Sequence, residues 1–481
     1  MTVFRVCLLV LLAMRGAPAA AAEVSFLRDV APILTSRCTG CHGAVKMEGD
    51  YRLHTFEYLQ KPGASDELPV LPGKPAESEL FRRLIEVDES VRMPQDDDPL
   101  ASAEIEIVKH WIAAGAKFDG ADTAASIKSL MPPRQHPLAP AAYRVPVPVF
   151  AVAFSPDGSE LAIGGNYEVM IWNPEDGRPL RRVPHLPQRI QSLVYSRDGK
   201  QLFVAGGSPG DYGELAVVDA HSGAKLGVLA TCEDIALAAS LNGDGTLVAL
   251  GSADRSTRVY RTADRQRVWQ SQLHSDWVTG VSFSADGRFL ASASKDTTIK
   301  VYETPSGELF TTYTGHQQVV PSNPDPGRWP VYDVAFARDG LSAISAGEGK
   351  AFRIWDPVSA KAEGGTAKEI EKRFSKAGHT RFVNAVGFPV FRLAVGDDHF
   401  YAASSNGMVK MFELDSGNVI RTFVGHRDRA YAVAYHAASG RLASGDNAGE
   451  VRIWDTAGGE LITSFVAAPG YSSAAGEPPA R

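Results

Sequence analysis

Three residues that could carry chemistry stand together in Cys38-Thr39-Gly40-Cys41-His42. Two thiols one helical turn apart can each add to a vinyl group of a haem. The histidine that follows then presents its imidazole to the iron from one face. C-x-x-C-H is the spacing of covalent c-type haem attachment. Two other chemistries use a cysteine pair. Half of a zinc site would need a second pair to complete it, and beyond Cys38 and Cys41 the exported chain holds only Cys232. A redox dithiol usually follows a strand, whereas Phe26, Val30, Ile33 and Leu34 recur at helical spacing before Cys38. The pattern therefore reads as one covalent haem, with Cys38 and Cys41 as thioethers and His42 as the proximal iron ligand.

An iron held from one face has a sixth ligand or an open site. Met93, in Arg92-Met93-Pro94, is the candidate distal ligand. A thioether beside a proline on an ordered loop can be held against the metal, and His/Met ligation raises the reduction potential. Met47 follows His42 too closely to cross to the opposite face. His54 and His110 are the rivals, with His110 reading better as a solvent-facing helical residue. An open or water-bound iron is the remaining alternative.

The elements around these residues set the context. Arg5, the apolar run from Val6 to Ala13 and the small residues through Ala22 form a cleavable signal peptide over residues 1–22, which predicts a periplasmic or otherwise exported protein. No other stretch is long and apolar enough to span a bilayer. Cys232 is expected as a buried small hydrophobe. The 481-residue chain has a formal net charge of −7, which excludes nucleic-acid binding by the chain as a whole. The acid is uneven: residues 23–122 hold 19 Asp and Glu against 11 Lys and Arg, so the haem-bearing part is an acidic lobe, whose charge reads first as a solvated surface and second as a means of steering a basic partner. Within it, Pro32 marks a kink or first helical turn. A second helix is predicted over 102–114, with Ile105, Val108 and Ile112 as its stripe and Gly115 as its C-terminal cap. Two helices around a loop-rich middle make a thin core, which a covalent haem would fill.

Residues 24–120 resemble the planctomycete-type cytochrome c domain. The matching pieces are Phe26 to Leu34, Cys38 to Gly43, Gly49-Asp50-Tyr51-Arg52-Leu53, Pro72 to Leu80, Met93-Pro94 and Val108 to Ala116. The resemblance implies thioethers at Cys38 and Cys41, His42 proximal and Met93 distal. Pro94-Gln95 stands where the family often has a proline pair.

An Ala/Pro-rich stretch, 123–148, reads as a semi-rigid tether ending in an extended lead-in. The chain then repeats every 40 to 60 residues: alternating apolar residues, a turn such as Asp157-Gly158, Asp198-Gly199, Asp244-Gly245, Asp286-Gly287 or Asp339-Gly340, and a strand ending in Ile171-Trp172, Val301-Tyr302, Ile354-Trp355 or Ile453-Trp454. Gly-His pairs stand at 315, 378 and 425. Period and signature resemble the WD-repeat propeller. Seven blades are expected over 149–467, starting near 149, 191, 234, 277, 331, 383 and 430, followed by a flexible tail over 468–481. The family's His-Ser-Asp-aromatic hydrogen-bond set is best kept by His274, Ser292 or Ser294, Asp296 and Tyr302. In other blades Asn166, Gly349, Asn406 and Ala448 occupy the Asp position. These residues read as structural, neither catalytic nor metal-binding. Two insertions depart from the repeat: 321–330, where Arg328 and Trp329 could anchor a partner, and the charged, helix-like 359–374.

The expected fold is thus multidomain, a small all-α c-type cytochrome domain followed by an all-β seven-bladed propeller. The expected function is one-electron transfer by haem iron, with the propeller docking a redox partner protein and with no catalytic residues of its own. A haem-based redox or gas sensor is the alternative. An enzyme whose propeller active site is fed by the haem is a third reading, weakened because the repeats match the WD type and no ligand cluster marks a second cofactor.

Overall fold

The computed structural model describes residues 24–44, 46–95, 98–131, 134–317, 329–337, 342–357, 381–383 and 386–471. The signal segment, Arg328 and the 359–374 insertion lie outside them. The chain divides into two units, 1–134 and 135–481.

The first unit is small and helical. Ser25 caps a π-helical turn, Phe26–Val30, by accepting the Arg28 N–H. The chain runs directly into α1 (Ala31–Arg37), with Pro32 in its first turn, where its missing N–H costs nothing. Short helices α2 (Phe56–Leu59) and α3 (Glu79–Ile85) follow, then α4 (Ser102–Ala113). Gly115, at φ +99°, ends α4 as expected, and the Ala116 N–H bonds the Trp111 carbonyl. Phe26, Phe56, Trp111 and Phe118 pack ring against ring at the centre, with Val30, Leu34 and Val108 around them.

The stretch read as a tether is folded instead. Its start forms α5 (Ile127–Leu130). Ile127 is fully buried in the first unit's core, and its N–H bonds the His54 carbonyl. Its later part lies on the propeller. His136 is buried against Glu214 (3.0 Å), which also accepts from Lys225 (2.6 Å). Tyr143 donates to buried Glu168, which Arg182 also engages, while the Arg182 guanidinium reaches the carbonyls of Pro140 and Ala141. Composition hid this because the anchoring carboxylates sit far along the chain, inside the repeats.

Among the described residues, the second unit forms seven four-stranded antiparallel sheets, each built from consecutive strands. The first blade spans Val152–Val183 and the last Ala430–Val466. The final strand, Leu461–Val466, completes its own blade, so residues 141–147 do not substitute for it. The sixth blade starts at Val390 rather than near 383, because Arg381–Val383 pairs with Phe352–Ile354 as the outer strand of the fifth. Insertion 359–374 displaces that strand along the chain, which moved the apparent boundary. At the chain's end Ala468 is buried and the Pro469 carbonyl accepts from Tyr143, so the tail starts later than 468.

Each blade buries both faces against its neighbours. One apolar cluster, for example, joins Ile171 and Val183 of the first blade to Leu193 and Val204 of the second. Another joins Ile163 and Trp172 of the first to Ala432 and Ile453 of the last and closes the ring. The innermost strands would leave edge N–H groups unpaired. Side chains of the preceding blade take them: Ser192 accepts from Ala239, Ser240 from Phe283, Ser282 from Phe336 and Asp333 from Leu393. A central cavity of about 340 Å³, lined by all seven blades, is crossed by Arg392. Its guanidinium donates to the carbonyls of Gln191, Leu237 and Thr279 on three other blades, and lies 3.9 Å from the Asp333 carboxylate. Burial raises the Asp333 pKa, and the Arg392 charge opposes that rise.

The fourth blade keeps the expected polar set. His274 bonds Asp296 and Ser292, each at 2.8 Å, and Ser271 donates to the Tyr302 hydroxyl. Ser294 bonds the Asp276 carbonyl instead. In the last blade, where Ala448 holds the Asp position, Asp446 substitutes from two residues earlier. Its carboxylate lies 3.2 Å from His426 Nδ1, with Glu450 at 3.7 Å. Cys232 is buried as expected, and burial pushes its thiol up to about 12.

Two outcomes are expected. Arg392→Ala should destabilise the propeller by about 3 kcal/mol in urea unfolding, since Asp333 stays buried without its cation, and adding Asp333→Asn should recover part of the loss. Burial disfavours charge on His426, but Asp446 and Glu450 outweigh it and raise its pKa. The stabilisation is therefore complete below the ordinary histidine pKa, about 6.5, and fades as pH rises through the raised folded value. The stability gap between wild type and His426→Gln should narrow over that rise in thermal melts.

Candidate functional site

Helix α1 delivers the cysteine pair. The Cys38 N–H bonds the Leu34 carbonyl as the helix ends, and the Cys38 carbonyl then accepts from both Cys41 (3.2 Å) and His42 (2.9 Å). This tight turn is closed further by Thr39, whose hydroxyl bonds the Thr35 carbonyl. Gly43 follows, its N–H on the Lys46 carbonyl, and a Cβ placed there would stand 2.6 Å from the Thr39 carbonyl oxygen. The His42 carbonyl accepts from Leu53, and its ring lies 5.5 Å from that of Tyr51.

Met93 reaches the same space from a later part of the chain. After α3 the chain turns around Asp88, whose carbonyl accepts from Val91 and Arg92 and whose carboxylate caps Ser90. The Met93 N–H then bonds the Arg83 carbonyl at 2.9 Å. Cys38, His42 and Met93 thereby line one cavity of about 350 Å³, together with Tyr51, Leu53, Leu80 and Leu84. Ser65, Glu79 and Arg83 form its polar wall.

The donor set fits a haem. His42 Nδ1 is buried and makes no hydrogen bond within the protein. The wall is mainly apolar, with a thioether among its lining groups. Burial pushes the Cys38 thiol up to about 12. Cys41 is only partly exposed and sits 3.6 Å from the Lys46 ammonium. The rivals for the iron stand elsewhere. His54 stacks on Tyr58 and is not among the cavity-lining residues. His110 is exposed and bonds the Glu106 carbonyl of its own helix, and Met47 is 38% exposed. Residues the motif reading missed are Glu79 and Arg83, whose positions four apart on α3 were the available signal.

On the propeller, the Trp329 ring packs over Gly349 of its own blade.

Comparison with known families agrees with this division. A family model described as Planctomycete cytochrome C matches residues 38–97. The WD domain, G-beta repeat model matches 144–173 and 417–455, and the Anaphase-promoting complex subunit 4 WD40 domain model matches 239–323. The chain joins a planctomycete-type cytochrome c domain to a seven-bladed WD-repeat propeller. The first match points to haem as the cofactor of the first unit, and WD-repeat propellers commonly mediate protein interactions. Among the described residues no helix is long and apolar enough to cross a membrane.

Gly43→Ala should cost about 1–3 kcal/mol, because the clash is with backbone that cannot swing aside. Thermal unfolding of the first unit should show it, whereas Gly73→Ala, where a Cβ meets open space at φ +79°, should lose only the strain of that conformation.

Proposed function

We propose that this is an exported one-electron carrier holding a single covalent haem, with the propeller as the module that docks its redox partner. The observation that carries this reading is the convergence of Cys38, His42 and Met93, the last two 51 residues apart in sequence, on one largely apolar cavity. Cys38 and Cys41 would hold the group as thioethers, with His42 proximal and Met93 distal. Bound haem supplies a one-electron Fe(III)/Fe(II) couple. His42 and Met93 would both ligate the iron, which would leave no position open for substrate and little to reorganise on electron transfer. Leu53, Leu80 and Leu84 provide the apolar wall, which favours the less charged reduced state.

The propeller's part is placement. A partner bound to the propeller would meet the haem module at high effective concentration. The signal segment supports action in the periplasm, where attachment takes place.

The full chain, expressed with its signal in cells containing haem-attachment machinery, should show a sharp c-type reduced spectrum and the weak sulfur-to-iron band when oxidised. The haem should remain with the polypeptide after denaturation, and Cys38→Ala with Cys41→Ala should abolish that retention. Met93→Ala should remove the sulfur band and lower the potential. An unchanged oxidised spectrum in Met93→Ala would overturn the His/Met reading and favour a sensing site.

A further inference from the structure

Arg83 ties together three parts of the cavity wall. Its backbone carbonyl accepts the Met93 N–H at 2.9 Å. Its Nη1 donates to the Val91 carbonyl at 3.3 Å, and its Nε and Nη2 grip Glu79 Oε1 at 3.3 and 3.1 Å. The other Glu79 oxygen accepts from Ser65 at 2.7 Å. Ser65, Glu79, Arg83 and Met93 all line the cavity. The Glu79 side chain is 16% exposed and that of Arg83 37%, so the pair is only partly shielded from solvent. Loop 88–93 has few apolar anchors of its own: Val87 at its entry is 88% exposed, and Asp88, Glu89 and Ser90 are exposed.

We infer that Arg83, braced by Glu79, is the positioning residue for the Met93 thioether, and that the pair governs how readily the loop opens to let another ligand reach the iron. This rests on the haem reading above. An arginine is suited to the task because its planar fork can hold a carboxylate and reach a carbonyl at once, which an ammonium does less well. Without the fork, the hydrogen bond that still ties the loop to α3 among the described residues is that of the Met93 N–H. A distal ligand on a loosened loop spends more time away, and an added ligand then binds in proportion to the open fraction.

The test uses the full haem-loaded chain with Arg83→Gln, Arg83→Lys and Glu79→Gln, and Met93→Ala as reference. The readouts are the sulfur-to-iron band, the reduction potential and the affinity of the oxidised protein for added imidazole. Arg83→Gln should weaken the band and raise imidazole affinity on the order of tenfold, as loss of hydrogen bonds to a charged group implies. Arg83→Lys should fall between, and Glu79→Gln should move the same way by about threefold. If Arg83→Gln does not load haem, Glu79→Gln decides on the same readouts. Wild-type band and imidazole affinity in the variants would overturn the inference. So would a shifted potential with an unchanged band, which would place Arg83 on the haem carboxylates instead. A wild-type protein without haem, or without the sulfur band, would overturn the underlying reading instead.

Discussion

A four-stranded sheet has two apolar faces and two open edges, and this chain must hide seven such sheets at once. Stacking them in a row would leave a bare face at each end, whereas closing the ring leaves none. The apolar seam between the first and last blades is therefore as deep as the others: Ile163 and Ile453 are both fully buried there. Closure has a second demand at the axis, where the innermost strands converge without partners. Serines on three successive blades, Asp333 and the guanidinium of Arg392 answer it with hydrogen bonds across blade boundaries. The rigidity that results is what allows a propeller to serve as a platform.

The same frame explains the segment that precedes it. Glu168 and Glu214 are buried acids on the first and second blades, and a buried carboxylate needs partners. Arg182 and Lys225 supply the charge, and Tyr143 and His136 supply further contacts from the incoming chain. The lead-in is thus fastened by polar groups of the repeats.

The first unit faces the opposite difficulty. Its helices are brief, and beside its aromatic core of Phe26, Phe56, Trp111 and Phe118 it holds a cavity lined by Leu53, Leu80 and Leu84. A prosthetic group would complete this core, which would couple ligation to folding there. Within that lining Ser65, Glu79 and Arg83 form a connected polar group, with Glu79 accepting from both of the others.

Local features of this protein were legible from residues alone. Cys38 to His42 is contiguous, so one helical turn decides its geometry. Gly115 caps α4 and the Asp-Gly turns at 158, 199, 245 and 287 take positive φ, because each conformation depends on a few adjacent residues. The blade count followed from periodicity. Other features depended on partners distant in sequence. The fifth blade's outer strand at 381–383, the burial of Ile127, the replacement of Ala448 by Asp446 and the gathering of Glu79 and Arg83 against the Met93 loop are all of this kind. The amino-acid sequence by itself determined the chemistry on offer, a thiol pair, an imidazole and a thioether, together with the repeat that builds the platform. Only the tertiary structure decided which groups share a cavity and what holds them there, because those contacts form when side chains far apart in sequence compete to fill the same buried space.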